Sequence, residues 1–562
     1  MRLRIPQNAQ AIVLALGMAA AAALMAVLFL LATRYVFQWT YVTYTHWQDW
    51  QFVVASLITI VVSSIAVGLL MKWAGPLSIG SGIPQLKAQY WKDTGIMPLK
   101  AVLVKFAAGV LSIGGGASLG REGPTLFFGA GIASNIAGWF RTPRHLRRAP
   151  AALGATAGLA AAFNTPMAAI TFVLEEILGD LSSRALGRMI LASVVGAFVV
   201  AAVIGRNPAF LLPLIDHVSW WLYAILPVVA IATSLFGVVF QRSVLSLRGH
   251  VKRQKALPRW ALPVVGGLAT WGLGVTVYLT LHKVGVFGLG YIDLTQALNN
   301  HFLWWVAGIM VVAKLAATIF AYSYNGCGGI FSPLLFIGGM GGFFFAGLAT
   351  FLGVPLTPAD TMALAAMGMA TCLGTVLRTP LSVLLIVFEM THEFSVVPGL
   401  LLGLLLSTLV SRLSGDHNFY DALLVQDGHR IHQIHPPSDF HSWKTLAVSA
   451  LATPHPVVLE FGQESAWQAV VAKHPYQAFP VVQDGVPQGV IFRRDVSAGR
   501  TAPEDKSLMP AVVCRTDALL EEVEARFLET PAGVILLVDT EGLLQGVVTL
   551  HDLLRAQAAT RD

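Results

Sequence analysis

The chain has 562 residues, 55% hydrophobic and 12% charged, with a mean hydropathy of +0.67 and a net charge of +7. So little polar surface excludes a soluble globule of this size, and most of the chain belongs in lipid. Cys327, Cys372 and Cys514 are scattered without metal-ligand spacing and read as structural free thiols. In chain order, apolar stretches of about 20 residues, long enough to cross a bilayer, cover 11–33, 53–71, 101–113, 151–174, 189–204, 220–240, 261–281, 304–320, 330–351, 362–388 and 396–413. Several are short or interrupted by Gly and Pro, as in discontinuous helices. The first follows Met-Arg-Leu-Arg, but its run of about 23 apolar residues exceeds the 7 to 15 of a secretory signal, so it reads as an uncleaved helix.

Charge divides the chain. Residues 1–426 hold 26 Lys plus Arg and 13 Asp plus Glu, whereas residues 427–562 hold 11 and 17. A sparse, basic membrane body therefore precedes an acidic soluble tail. Basic clusters at the extreme N-terminus and at Arg248, Lys252, Arg253 and Lys255 place those segments in the cytosol by the positive-inside rule. They read as solvated faces, not as a nucleic-acid site. Trp39, Trp47 and Trp50 flank spans, which suits interfacial anchoring.

Within the body, Gly120 to Pro124 reads Gly-Arg-Glu-Gly-Pro, which sets Glu122 at a glycine-flanked helix start. A carboxylate at bilayer depth costs about 2.5 to 3.5 kcal/mol, so Glu122 is expected to face a water-filled path or an ion site. The body also repeats. At an offset of 209, Lys105, Gly120, Pro124, Phe127 and Gly129 fall on Lys314, Gly329, Pro333, Phe336 and Gly338; at 214, Gly154, Thr165, Pro166 and Glu175 fall on Gly368, Thr379, Pro380 and Glu389. Two related halves, about 11–206 and 218–425, follow. Matching interrupted segments in two halves point to a transporter site at their interface. Gly120 to Pro124, Gly329 to Pro333 and Gly80 to Pro84 each supply a helix N-terminus whose free N–H groups favour an anion, and Ser81 adds a hydroxyl donor. A sodium or magnesium site needs converging carboxylates, yet most of the acidic residues of the body lie in connections or at span ends.

The three signatures Gly-Ser-Gly-Ile-Pro, Gly-Arg-Glu-Gly-Pro and Gly-x-Phe-x-Pro, in this order, with Tyr420 in Asn-Phe-Tyr-Asp-Ala-Leu after the last span, resemble the CLC family of chloride channels and transporters, with a C-terminal CBS pair. The resemblance covers essentially the whole chain. It implies an all-α polytopic membrane fold of two inverted-topology repeats with re-entrant or broken helices, followed by an α/β CBS-pair domain. The implied domains are a transmembrane body over 1–425, a linker over 426–445 and a cytosolic CBS pair over 446–562, its copies about 446–500 and 506–560. Ser81 and Tyr420 would donate hydroxyls to a central chloride, and the N–H groups of Ile330 and Phe331 would complete its coordination. Glu122 would be the gating glutamate, and Ser81 resembles the chloride-preferring members. Glu176 falls where the family's exchangers carry an internal proton-transfer glutamate, and Glu175 reads as structural. Two-to-one chloride/proton antiport is the expected function; a passive gated channel and, behind it, a CBS-bearing divalent-cation transporter are the alternatives. The implied setting is a homodimer in a bacterial inner membrane with N-terminus and tail cytosolic, working on chloride and protons without a required cofactor. No catalytic triad, phosphate loop or zinc pattern occurs, so no enzyme is expected.

The tail repeats at an offset of 57, where Gly485, Gln488, Gly489, Val490 and Asp495 fall on Gly542, Gln545, Gly546, Val547 and Asp552. Each copy reads β-β-α. The second copy keeps the Gly-h-h-Thr-x-x-Asp pattern with which CBS pairs hold adenine nucleotides, with Thr549 and Asp552 as ribose ligands; the first has Phe492 in place of the hydroxyl. Thr549 and Asp552 also fit an N-terminal capping box. His417, His429, His432, His435 and His441 read as linker residues, and Asp180 as a connector.

Overall fold

The computed structural model describes residues 7–179, 181, 185–205, 209–210, 218–254, 256–429, 447–499, 508–527, 530 and 532–553. Asp180, Lys255, His432, His435, His441 and the initial Met-Arg-Leu-Arg lie outside them. The chain divides into two units, Met1–His435 and Pro436–Asp562.

The first unit is helical. Its first half comprises α1 (Gln7–Phe37), α2 (Asp49–Ala74), α3 (Ile83–Lys92), α4 (Leu99–Gly114), α5 (Glu122–Trp139), α6 (Arg148–Phe163), α7 (Pro166–Phe172) and α8 (Leu186–Val203). Its second half comprises α9 (Trp220–Arg253), α10 (Leu262–Leu281), α11 (Tyr291–Leu298), α12 (Trp304–Ser323), α13 (Phe331–Phe351), α14 (Pro358–Leu377), α15 (Pro380–Thr391) and α16 (Val397–Ser411), followed by α17 (Phe419–Gln426). Among the described residues, nine helical stretches are long and apolar enough to cross a membrane.

The expected spans 151–174 and 362–388 are each two helices. Asn164 and Arg378 adopt left-handed backbone at φ 56° and 57°, and Pro166 and Pro380 then restart the chain at the first position of α7 and α15. Proline there lacks only an N–H that a helix start leaves unbonded anyway. Four short or re-entrant elements, α3, α5, α11 and α17, do not figure among the expected spans, because α3, α11 and α17 are only 8 to 10 residues long with polar residues among them, and the glycines of α5 dilute its apolar run.

The halves pack alike. As α5 packs on α6, α1 on α8 and α2 on α4, so α13 packs on α14, α9 on α16 and α10 on α12. Gly120 and Gly329, repeat mates, pair with each other in antiparallel fashion, each N–H donating to the other's carbonyl at 2.7 and 2.6 Å. A mutual bond between equivalent residues is the signature of a two-fold relation between the halves. The second expected pair obeys it too. Glu175 accepts from Ser382 N–H (2.8 Å) and from its hydroxyl at the start of α15, while Glu389 accepts from Met167 and Ala168 N–H (2.9 and 2.8 Å) at the start of α7. Each carboxylate caps the other half's helix, where its charge also opposes the helix dipole. Glu389→Ala leaves both N–H donors without their acceptor and is expected to destabilise the fold by about 1 to 3 kcal/mol, read as a lower unfolding midpoint of the detergent-purified protein.

Two buried lysines repeat as well. Lys105 donates to the carbonyls of Ile79 and Gly80 (3.1 and 2.9 Å), and Lys314 to those of Gly285, Val286 and Gly288 (2.9, 3.1 and 2.7 Å). They pin the loops that enter α3 and α11. At the centre, α14 is buried from Asp360 to Leu377 and α6 from Ala151 to Phe163, as expected of helices without a polar face. Apolar side chains such as Val54, Ile58 and Val62 on α2, and Leu401, Leu405 and Leu409 on α16, stay exposed.

The second unit holds β1 (Thr453–Pro454), β2 (Leu459–Glu460), α18 (Glu464–Lys473), β3 (Ala478–Gln483), β4 (Val486–Phe492), α19 (Arg493–Ser497), β5 (Val513–Arg515), α20 (Leu520–Phe527), β6 (Val534–Val538) and β7 (Leu544–Thr549). One sheet runs β2-β3-β4 and the other β1-β7-β6-β5. The hairpins β3-β4 and β6-β7 occupy the repeated sequence. Each is preceded by a strand that pairs with it in parallel, and each sheet buries its own small core, around Phe479 and Ile491 in one and Ile535 and Val548 in the other.

Candidate functional site

The starts of α3, α5 and α13 meet. Glu122 opens α5 and is fully buried. One carboxylate oxygen accepts from the backbone N–H of Phe331, the first residue of α13. The other accepts from the Ser332 hydroxyl at 3.3 Å, and Tyr291 donates to that hydroxyl at 3.0 Å. Thus an anionic side chain rests on a helix N-terminus, on N–H and O–H donors of the kind that bind anions. The flanking glycines are needed for this seat, since a Cβ on Gly120 or Gly329 would stand 2.3 or 2.4 Å from a Glu122 carboxylate oxygen. Ile330, the N-cap of α13, is buried beside it.

Ser81 borders the start of α5 so closely that a Cβ on Gly123 would lie 2.3 Å from its carbonyl oxygen. The hydroxyls of Ser81 and Tyr420 are buried and have no protein partner at full hydrogen-bond geometry, although the Tyr322 hydroxyl approaches that of Ser81. An unpaired buried hydroxyl forfeits about 1 to 3 kcal/mol, which a small anion accepting from both would offset. Tyr322 lies beside Ser81 and Tyr420, and Tyr420 is within electrostatic reach of both Glu122 and Glu176. Glu122, Phe331, Ser81 and Tyr420 thus belong to one neighbourhood.

Glu176 lies in a second, buried cluster. Lys87 of α3 donates to Glu176 (2.9 Å) and to Asp421 of α17 (2.7 Å), and Asn418 donates to the other Glu176 oxygen at 3.0 Å. Lys87 and Glu176 are each about 1% exposed, so Glu176 does not reach out to an interface. One ammonium faces two carboxylates. Lys87, Asn418, Asp421, Ser332 and Tyr322 escape the sequence reading. The signal for Lys87 is available all the same, because a lysine in an apolar body needs a carboxylate partner.

A cavity of about 530 Å3 leads to the Glu122 end, and Arg34, Arg121, Phe163, Asn164 and Tyr291 are among its walls. The Arg121 guanidinium lies between the rings of Phe163 and Tyr291, at 4.9 and 5.5 Å. A smaller cavity, walled by Gly80, Arg248, Tyr322, Asn325 and Asp427, borders the Ser81 end. Each cavity has a guanidinium in its wall, that of Arg248 paired with Asp427 at 2.8 Å. Among the described residues, no group of three or more His, Cys, Asp and Glu is placed to hold a metal ion. His429 follows α17 and meets Lys92 at 2.9 Å.

In the tail, Thr549 donates its N–H (2.9 Å) and hydroxyl (2.7 Å) to one Asp552 oxygen, and Asp552 N–H donates back to the Thr549 hydroxyl at 3.3 Å. This is the capping box, and Phe492 leaves the first copy without its counterpart.

A family model described as voltage gated chloride channel matches residues 62–412, and one described as CBS domain matches 506–559. A putative chloride channel protein ClcB-like from Ralstonia nicotianae (strain ATCC BAA-1114 / GMI1000) is 27% identical over 338 residues, which span 59% of this chain and 77% of that protein. The crystal structure of a slow cyanobacterial Cl-/H+ antiporter is similar with a TM-score of 0.65 at 24% identity, over 74% of this chain and 97% of that one. That of a eukaryotic CLC transporter is similar with a TM-score of 0.62 at 18% identity, over 96% and 97%. At these identities the structural likeness carries the fold.

Proposed function

The chain belongs to the voltage gated chloride channel family, and from that premise we propose that it exchanges chloride for protons across a membrane, two to one. Glu122 is the gating glutamate in this reading and Glu176 the internal proton carrier. Ser81, Tyr420 and the N–H groups of Ile330 and Phe331 hold the central chloride.

The observation that supports the reading is the seat of Glu122. Its carboxylate takes donors that a chloride would otherwise take, the N–H of Phe331 among them. Two like charges cannot share that low-dielectric volume cheaply. Chloride arriving there therefore expels the carboxylate, and a proton on the carboxylate frees the seat. Competition for one place is enough to couple the two ions. Proteoliposomes loaded with chloride test this when chloride efflux and pH are followed together. Exchange moves protons uphill against a chloride gradient. A passive channel, the second reading, moves chloride alone; what favours it is the ion pair that engages Glu176 with Lys87, since a permanently paired carboxylate is a fixed charge and not a carrier.

Ser81→Ala removes one of the two unpaired hydroxyls, and hydrogen bonds to charged groups are worth about 1.5 to 3 kcal/mol. Chloride binding measured by calorimetry is expected to weaken about tenfold or more. The same reading sets a homodimer in a bacterial inner membrane, with N-terminus and tail cytosolic, and follows the domains 1–425, 426–445 and 446–562. The second CBS copy is the candidate adenine-nucleotide site. Calorimetry of the full-length protein with ATP, ADP and AMP is expected to give heat that Asp552→Ala abolishes; no heat leaves Thr549 and Asp552 as a helix cap.

A further inference from the structure

We propose that Lys87 is a positioning residue that passes the protonation state of Glu176 to the hydroxyls of the anion path through its ion pair with Asp421. For the role of Glu176 this rests on the exchange reading.

The argument starts from which elements the cluster joins. Ser81 lies one residue before Gly82, the N-cap of α3, and Lys87 lies on that helix about one and a half turns further on. Tyr420 and Asp421 are consecutive in α17. The Lys87–Asp421 bond of 2.7 Å therefore ties together the two short helices that deliver the two unpaired hydroxyls. Glu176 touches both at once, accepting from Lys87 on α3 and from Asn418, the N-cap of α17. Asn418 in turn accepts from the N–H of Asp421 at 2.8 Å.

Two other charged groups among the described residues near the cluster are engaged elsewhere. Glu175 caps α15 through Ser382, and Arg148 holds the far end of α3 by the carbonyls of Tyr90 and Trp91 at 2.9 and 2.8 Å. Trp91 also donates to the carbonyl of Ile177 at 2.9 Å. A change of charge at Glu176 thus acts on α3 through Lys87. While Glu176 is ionised, the ammonium is shared between two carboxylates. Once Glu176 carries a proton, the ammonium belongs to Asp421, and α3 and α17 are drawn to each other alone. Coupling between sites needs an element with two such arrangements that both sites bias. A buried ion is a stiff link, since leaving it unpaired is strongly unfavourable.

The test uses full-length protein in liposomes and takes E176Q as its reference, a background in which position 176 no longer ionises. Loosening the pair is expected to free the Ser81 and Tyr420 hydroxyls from each other. K87M/E176Q and D421N/E176Q should each pass chloride about threefold to tenfold faster than E176Q alone. The two gains should not add in the triple variant, because both changes remove the same Lys87–Asp421 ion pair. With Glu176 intact, K87M should raise the chloride moved per proton. General damage to the fold would slow chloride and would add between the two sites. Chloride flux in K87M/E176Q and D421N/E176Q equal to or below that of E176Q overturns the proposal. If K87M does not yield folded protein, D421N removes the charge of the same ion pair from the other side. Wild-type protein that moves no protons refutes exchange, yet the chloride comparison in E176Q still decides the link.

Discussion

Glu122→Gln is expected to abolish proton movement while chloride still crosses. The amide is nearly isosteric with the carboxylate, so the close fit against Gly120 and Gly329 survives. Two properties change. Gln carries no titratable proton, and it brings no negative charge to the N–H of Phe331 and the hydroxyl of Ser332. The first removes the carrier, and proton flux should fall by about 100-fold or more, the scale on which a positioned acid or base matters. The second removes the competitor, so chloride should bind at the start of α13 without having to displace an anionic side chain. Simultaneous recording of chloride and pH in liposomes checks both. Proton transport that persists in Glu122→Gln would mean that a different group carries the proton, and the seat of Glu122 would then be a structural cap only.

The sequence made this half of the site legible because its parts are backbone features. Glycine and proline at Gly120, Pro124, Gly329 and Pro333 mark helix starts, and a helix start is an anion site whatever follows it. The two-fold relation was legible for the same reason: Glu175 and Glu389 repeat at the 214-residue offset, and in the structure each caps the opposite half. What sequence could not supply is pairing between side chains far apart in the chain. Lys87 and Asp421 are separated by 334 positions, and nothing local to either announces the other. Tyr322 and Ser332 read as ordinary members of apolar helices until the neighbouring starts converge on them. The breaks at Asn164 and Arg378 were obscured for a different reason. Both lie within long apolar runs, and a hydropathy window averages over a single left-handed residue.

Glu176→Gln is expected to stop proton coupling and leave chloride flux largely in place. The charges it faces explain why. Glu176 is buried, shares the Lys87 ammonium with the Asp421 carboxylate, and is costly to keep ionised beside a like charge at that depth. A proton taken up by Glu176 leaves a neutral Lys87–Asp421 pair. Protonation of Glu176 therefore relieves the burial of one carboxylate charge beside another, as a transfer station requires. Glutamine makes the neutral state permanent. Its amide oxygen can still accept from Lys87, so the packing of α3 against α17 survives, and chloride passes along a route whose donors are untouched. The chloride-to-proton ratio should then rise beyond measurement while the chloride rate changes by no more than about tenfold. The opposite outcome, coupling retained in Glu176→Gln, would make Glu176 a fixed counter-charge for Lys87 and would send the proton along a path that bypasses this cluster.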